Sequence, residues 1–159
     1  MLASAMTALP TPPPSFTFDD VHVVFSHLIP EDQERGFVPA YHFIIRNAAG
    51  KEAGHINFRI GNTGHVLRVA GHIGYEIQEK HRGHRYALKA CRALGPWIAG
   101  FGTEIIITAD PDNIPSLRTI EALGAEFINE IDVPQDDPHF ARGSFRKRRY
   151  RWTPDRPED

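Results

Sequence analysis

Residues 79–90 read EKHRGHRYALKA. They follow an alternating apolar stretch, GHIGYEIQ at 71–78, and open a run with helical spacing. A strand, a short basic turn and a helix start make a seat for phosphate. The first N–H groups of a helix have no partner inside it, and the helix dipole favours an anion at that end. Arg82 and Arg85 add positive charge at the same place. The stretch predicts a ligand that carries phosphate.

Within it, RGHRYA (Arg82 to Ala87) resembles the pyrophosphate loop of the GNAT superfamily of acyl-CoA-dependent N-acyltransferases. That loop reads Arg or Gln, two residues of any type, Gly, any residue, then Gly or Ala. Arg82 fills the first position and Ala87 the last, while Arg85 replaces the middle Gly. A glycine there lets the backbone approach the pyrophosphate closely, so the Arg85 side chain must point away. Downstream, DNIPSLRTIEALGAEF (112–127) resembles the late helix of the same family, with Asn113 at its start, Ser116 three residues on, and Leu123-Gly124 before the next strand. In style the motifs are similar to the branch of ribosomal-protein N-terminal acetyltransferases. The resemblance implies an α+β fold: one domain, with helices packed on a mixed, mainly antiparallel sheet.

Composition agrees with one domain. The chain has 159 residues and a formal net charge of −2, enough for one core. No apolar run reaches membrane-spanning length, so no membrane partner is expected. A single Cys91 excludes an internal disulfide and fits a reducing compartment, which points to the cytoplasm. The opening MLASAMTALPTPPPS has no basic start and is closed by prolines. It reads as a disordered tail over 1–15 rather than a signal peptide. The domain is expected over 16–153, with a flexible tail at 154–159.

Periodicity predicts strands at 20–29, 41–46 and 53–60, then a long strand over 65–78 kinked at Gly71. PEDQERGFVPA at 30–40 holds Pro30, Gly36 and Pro39 and reads as a loop. A helix is expected from His84, with Ala87, Cys91, Leu94 and Ile98 on its core face and a break before Pro96. A buried strand at 103–108, a short helix at 114–123 and two strands at 126–133 and 144–152 complete the reading.

The resemblance further implies N-acetyl transfer from acetyl-CoA, as co-substrate, to a primary amine of a small molecule or peptide. The backbone of Tyr75 to Ile77 would pair with the acetyl carbonyl and the pantetheine amides. The N–H groups of Gly83, His84, Arg85, Tyr86 and Ala87 would hold the pyrophosphate beside Arg82, and Asn113 would face the pantetheine arm. Strand alternation puts His72, Gly74, Glu76 and Gln78 on one face, and His55, Asn57 and Arg59 on one face of the preceding strand. If these faces coincide they form a polar floor, from which Glu76, and after it His72, is the candidate base. The family's late-helix Tyr is Ile120 here, so Ser116 is the candidate proton donor to the leaving thiolate. Because 30–40 replaces the helices usual in the family, the acceptor site is either open or closed by a second copy in a homodimer.

His81 and His84 lie three residues apart, but no Cys or carboxylate completes a ligand set, and no metal is expected. RKRRYRW at 146–152 reads as a solvated edge strand, a contact for the 3′-phosphate of CoA (with Arg118 as another), or a nucleic-acid surface. The slight net acidity argues against nucleic acid. Two rivals to the enzyme remain: a CoA-binding module without catalysis, and a nucleic-acid-binding protein that uses this strand.

Overall fold

The computed structural model describes residues 9–102 and 104–155. Positions 1–8 and 156–159 of the expected tails, and Thr103, lie outside the described residues. Five strands form an antiparallel sheet in sequence order: β1 (Ser15–Phe18), β2 (Val21–Ile29), β3 (Ala40–Arg46), β4 (Glu52–Arg59) and β5 (Ile73–Ile77). A second antiparallel sheet holds β6 (Ile105–Ala109), β7 (Glu126–Asp132) and β8 (Arg146–Trp152) in the order β6-β8-β7. Three helices join them: α1 (Tyr86–Ile98), α2 (Ile114–Ala122) and α3 (Pro138–Ala141). This is the expected α+β class.

Alternation explains the layering. Val21, Val23, Phe43, Ile45, Ile56 and Phe58 leave one face of the large sheet and are buried. Against them lie Ala90, Cys91, Leu94 and Ile98 of α1. Each fully buried side chain of this size contributes about 2 kcal/mol. Trp97 packs edge-on against Tyr41, Phe43, Phe58 and Phe101. Cys91 lies inside this core, and burial pushes its thiol up to about 12, so it is chemically inert at neutral pH.

The structure corrects three local readings. The long strand over 65–78 does not form. Val66–Ala70 is a π-helical turn, ended by Gly71 at φ 72°. Val66, Val69 and Ala70 are buried there at helical spacing, a pattern that a strand could not satisfy. Gly71 also needs its missing side chain, since a Cβ would lie 2.9 Å from the Ile106 carbonyl oxygen.

Pro96 does not break α1, which runs on to Ile98. An internal proline costs about 3 kcal/mol. Here it sits on the exposed side, and the continued turn keeps Trp97 and Ile98 in the core.

Third, β8 is the middle strand of its sheet rather than an edge. Its cations are consumed by pairing. Arg146 bonds Glu130 and Asp132, Lys147 bonds Asp110 at 2.8 Å, and Arg149 donates to the Leu67 carbonyl. Arg148 lies over the Phe127 ring, and Arg151 lies 3.4 Å from Glu104. The nucleic-acid reading of this strand loses its basis.

Candidate active site

The two sheets meet at one point and then part. The His72 N–H donates to the Ile106 carbonyl at 2.7 Å, and the Ile106 N–H donates back to His72 Nδ1 at 2.9 Å. Beyond this clamp β5 and β6 separate around a cleft of about 190 Å³ lined by Gly74, Tyr75, Thr108, Asp110, Asn113 and Ser116. The backbone of β5 is set to serve it. Arg59 N–H bonds the His72 carbonyl and Gln78 N–H bonds the Ala53 carbonyl, so the even-numbered residues of β5 bond β4. By the alternation of an antiparallel ladder, Ile73, Tyr75 and Ile77 turn their peptide groups the other way, toward the cleft. Of these groups, the Ile77 carbonyl is already taken by Arg82 Nε at 3.0 Å.

At the phosphate loop, α1 begins at Tyr86 rather than His84 because Arg85 is left-handed, at φ 60° and ψ 30°. Arg85 therefore takes the backbone shape that a glycine would take, at a cost of about 1 kcal/mol. Its side chain is exposed, as are Arg82, Gly83 and His84, while Tyr86 and Ala87 are buried. The N–H groups of the first turn remain unpaired within the helix and open to an anion. The loop fits a pyrophosphate despite the missing glycine.

Asn113 caps α2 by accepting the Ser116 N–H at 3.3 Å and also lines the cleft. A tyrosine of the sheet meets the helix that carries Ile120: Tyr75 Oη lies 2.8 Å from Ser116 Oγ. Burial raises the Tyr75 phenol well above its usual range, so it keeps its proton. Sequence reasoning placed Tyr75 on the apolar face and had no signal that a helix 41 residues later would meet its hydroxyl.

The polar floor exists in part. His55 pairs with Glu76 and Asn57 with Gly74, so these residues share a face, and the Arg59 guanidinium lies over Gly74. His72 leaves it. Its ring is buried, Nδ1 accepts from Ile106, and Nε2 meets Asn62 Oδ1 at 2.9 Å. Both nitrogens are engaged, so His72 is a clamp and not a base. Glu76 is exposed and lines neither cleft.

A second cleft, of about 610 Å³, opens beside the first. The loop between β2 and β3 forms one wall, as expected without helix, held by a bridge between Asp32 and Phe37. Across it stand His65, Val66, His139 and Arg142, over Asn57 and Arg59. Arg59 and His139 line both clefts, which makes them the junction. Here the structure holds a pair that the sequence hid, 72 residues apart: His65 Nδ1 lies 2.6 Å from Asp137 Oδ2. Burial works to raise Asp137, but the His139 N–H and His65 bonds bring it below the usual carboxylate range. An ionised Asp137 favours a proton on His65 Nδ1, so Nε2 is the ring nitrogen outside this pair. His139 is pushed down to about 4 by burial and by Lys147 and Arg142.

The profile of the acetyltransferase (GNAT) domain matches residues 4–126. The chain belongs to the GNAT acetyltransferase family. A search of curated proteins finds no match. Among solved structures the GNAT fold here is similar to ribosomal-protein-S5-alanine acetyltransferase from Vibrio fischeri, with TM-score 0.63 and 14% identity over 91% of this chain and 99% of that one. It is also similar to RimL, the ribosomal L7/L12 alpha-N-protein acetyltransferase solved with coenzyme A (0.56, 18%, 79% and 67%). A third similar structure is the microcin C7 self-immunity acetyltransferase MccE with acetyl-CoA and AMP (0.56, 19%, 76% and 62%). The expectations of an acyl-CoA-dependent acyltransferase and of its fold are borne out. No described helix is long and apolar enough to cross a membrane.

Proposed function

We propose that this GNAT protein moves an acetyl group from acetyl-CoA to a primary amine by direct transfer. The observation that carries the reading is the junction: the cleft between the parted strands and the larger cleft share Arg59 and His139 in their walls. One ligand can lie in each, and transfer needs no covalent enzyme intermediate. The solved relatives that hold acetyl-CoA or CoA support the choice of donor.

When bound, acetyl-CoA supplies the activated acyl thioester. The N–H groups of Gly83, His84, Arg85, Tyr86 and Ala87 and the Arg82 side chain hold the pyrophosphate end. The peptide groups of Tyr75 and Ile77 and the free amide of Asn113 orient the arm. The N–H groups of β5 offset charge that builds on the acyl oxygen. His65, aligned by Asp137, takes the proton of the acceptor nitrogen at Nε2. The hydroxyl pair of Ser116 and Tyr75 gives a proton to the departing sulfur. Holding both substrates in register supplies much of the remaining acceleration.

Calorimetry with acetyl-CoA, CoA and ATP tests the donor, and release of free CoA in an amine panel tests the transfer. Selective binding of acetyl-CoA and CoA with amine-dependent release is expected. Binding without release from any amine would leave a CoA-binding module.

His65→Asn is expected to lower kcat by about a hundredfold with acetyl-CoA affinity kept, whereas Glu76→Gln has a much smaller effect. Steady-state kinetics of the two variants would reverse the assignment if Glu76→Gln proved the more damaging. Tyr75→Phe is expected to lower kcat by about tenfold, with KM for the amine little changed, because one hydroxyl of the donor pair is lost.

A further inference from the structure

The larger cleft contains a charge that no ion pair among the described residues balances. The Arg59 guanidinium is half-buried, and its Nη1 bonds only backbone carbonyls, those of Ala70 and Gly71, each at 3.2 Å. A Cβ on Gly74 would lie 2.9 Å from Nη2, so the glycine makes room for the cation. Among the described residues no carboxylate pairs with Arg59. Burial lowers its pKa, and Arg142 adds repulsion from nearby. Arg142 also lacks an ion pair among the described residues and stands on the rim, just after α3.

None of the described carboxylates around the cleft forms an ion pair with Arg59 or Arg142. Asp137 holds His65, and Asp110 holds Lys147 and Ser144. On the opposite wall Asp32 accepts the Arg35 N–H, Glu31 accepts from Gln33, and Glu34 is exposed to solvent. Holding a guanidinium out of water beside a second cation is costly, and an anionic ligand would offset the cost. Two guanidiniums offer the planar, forked donors that match a carboxylate. The place is informative too, because Arg59 lines both clefts. An anion bound there lies next to the point where the acyl group arrives.

We infer that the acceptor is a small amine with a carboxylate within a few bonds of its nitrogen, seated with that carboxylate on Arg59 and Arg142. The amine half rests on the acetyltransferase reading above. The carboxylate half rests on the unbalanced charge alone. A cleft of about 610 Å³ is within the range of small-molecule sites, and an amino-acid-like compound fits it.

The test is calorimetry on the full chain saturated with CoA. The probes are the L-amino acids, their matching carboxamides and a tetrapeptide amide with a free N-terminus. At least one amino acid should bind, with its carboxamide at least tenfold weaker. Arg142→Gln should weaken that acid by tenfold or more. Lys51→Gln, in the exposed turn between β3 and β4, should not change it. Arg59→Gln should act as Arg142→Gln does, and the rim variant suffices if the half-buried one misfolds. Carboxamides or the tetrapeptide amide binding as well as the acids would overturn the inference, as would no acid binding or an unchanged Arg142→Gln. Acetyl-CoA turnover with the same probes separates the two claims. Transfer to amides without preference for acids would sustain acetyl transfer and overturn the carboxylate subsite. Selective acid binding without transfer to any amine would do the reverse.

Discussion

Replacing Gly54 by alanine should destabilise the protein by about 3 kcal/mol and greatly weaken acetyl-CoA binding. Gly54 is buried in β4, opposite Ile77 of β5. A Cβ there would lie 2.1 Å from the Glu76 carbonyl oxygen and 2.9 Å from Ile77 Cα. Both atoms are backbone, so no side chain can swing aside to relieve the contact. The two strands must part, or β5 must slide. Either movement displaces the peptide groups of Tyr75 and Ile77, which face the cleft, and the Ile77 carbonyl that anchors Arg82. Stability and cofactor affinity should therefore fall together. Urea unfolding and an acetyl-CoA titration of the same variant check this. A midpoint close to that of the unaltered protein would show that the strands yield more easily than the geometry indicates.

His72→Ala carries the second large effect, again about 3 kcal/mol. It strips the acceptor from the Ile106 N–H, removes the partner of Asn62 and leaves a hole where a buried ring stood. The ring closes the fork between the sheets, so its loss should widen the cleft as well as loosen the fold. The same ring makes stability depend on pH. Burial lowers the pKa of His72, and also those of His42 and His139, the last to about 4. In the unfolded chain each returns to about 6.5. Between those values the unfolded chain binds more protons, so stability is full above pH 6.5 and drains away as pH falls toward 4. For His139, which keeps some contact with solvent, the loss is roughly 1–2 kcal/mol. Asp110 and Asp137, held low, add their own loss below about pH 4. Unfolding measured at pH 7.5, 6 and 5 should show the decline, and His139→Gln should flatten it. An unchanged slope in that variant would remove His139 from the account.

Features set by neighbours in sequence were legible from the chain. The loop at 30–40, the Asn113 cap, the core stripe of α1 and the basic turn before it at 82–85 all follow from local spacing and local chemistry. Even Arg85 was flagged by its departure from glycine, and the structure shows it in a glycine's conformation. Readings that needed a partner across the fold went astray. The basic run at 146–152 looked like a free edge because its countercharges lie in other strands. Pro96 looked like a break because local cost was visible and the aromatic cluster around Trp97 was not.

By itself, then, the amino-acid sequence determined the class of fold and most of its elements, and it marked the basic turn proposed to seat phosphate. Periodicity, capping and helix-end electrostatics act over a few residues, and a reader of the chain can see them. Only the tertiary structure decided which side chains meet around the two clefts. His65 with Asp137, Tyr75 with Ser116, and Arg59 at the meeting of two clefts come from positions far apart in the chain. Their chemistry depends on distance and burial, which exist only once the sheets have met at His72 and parted.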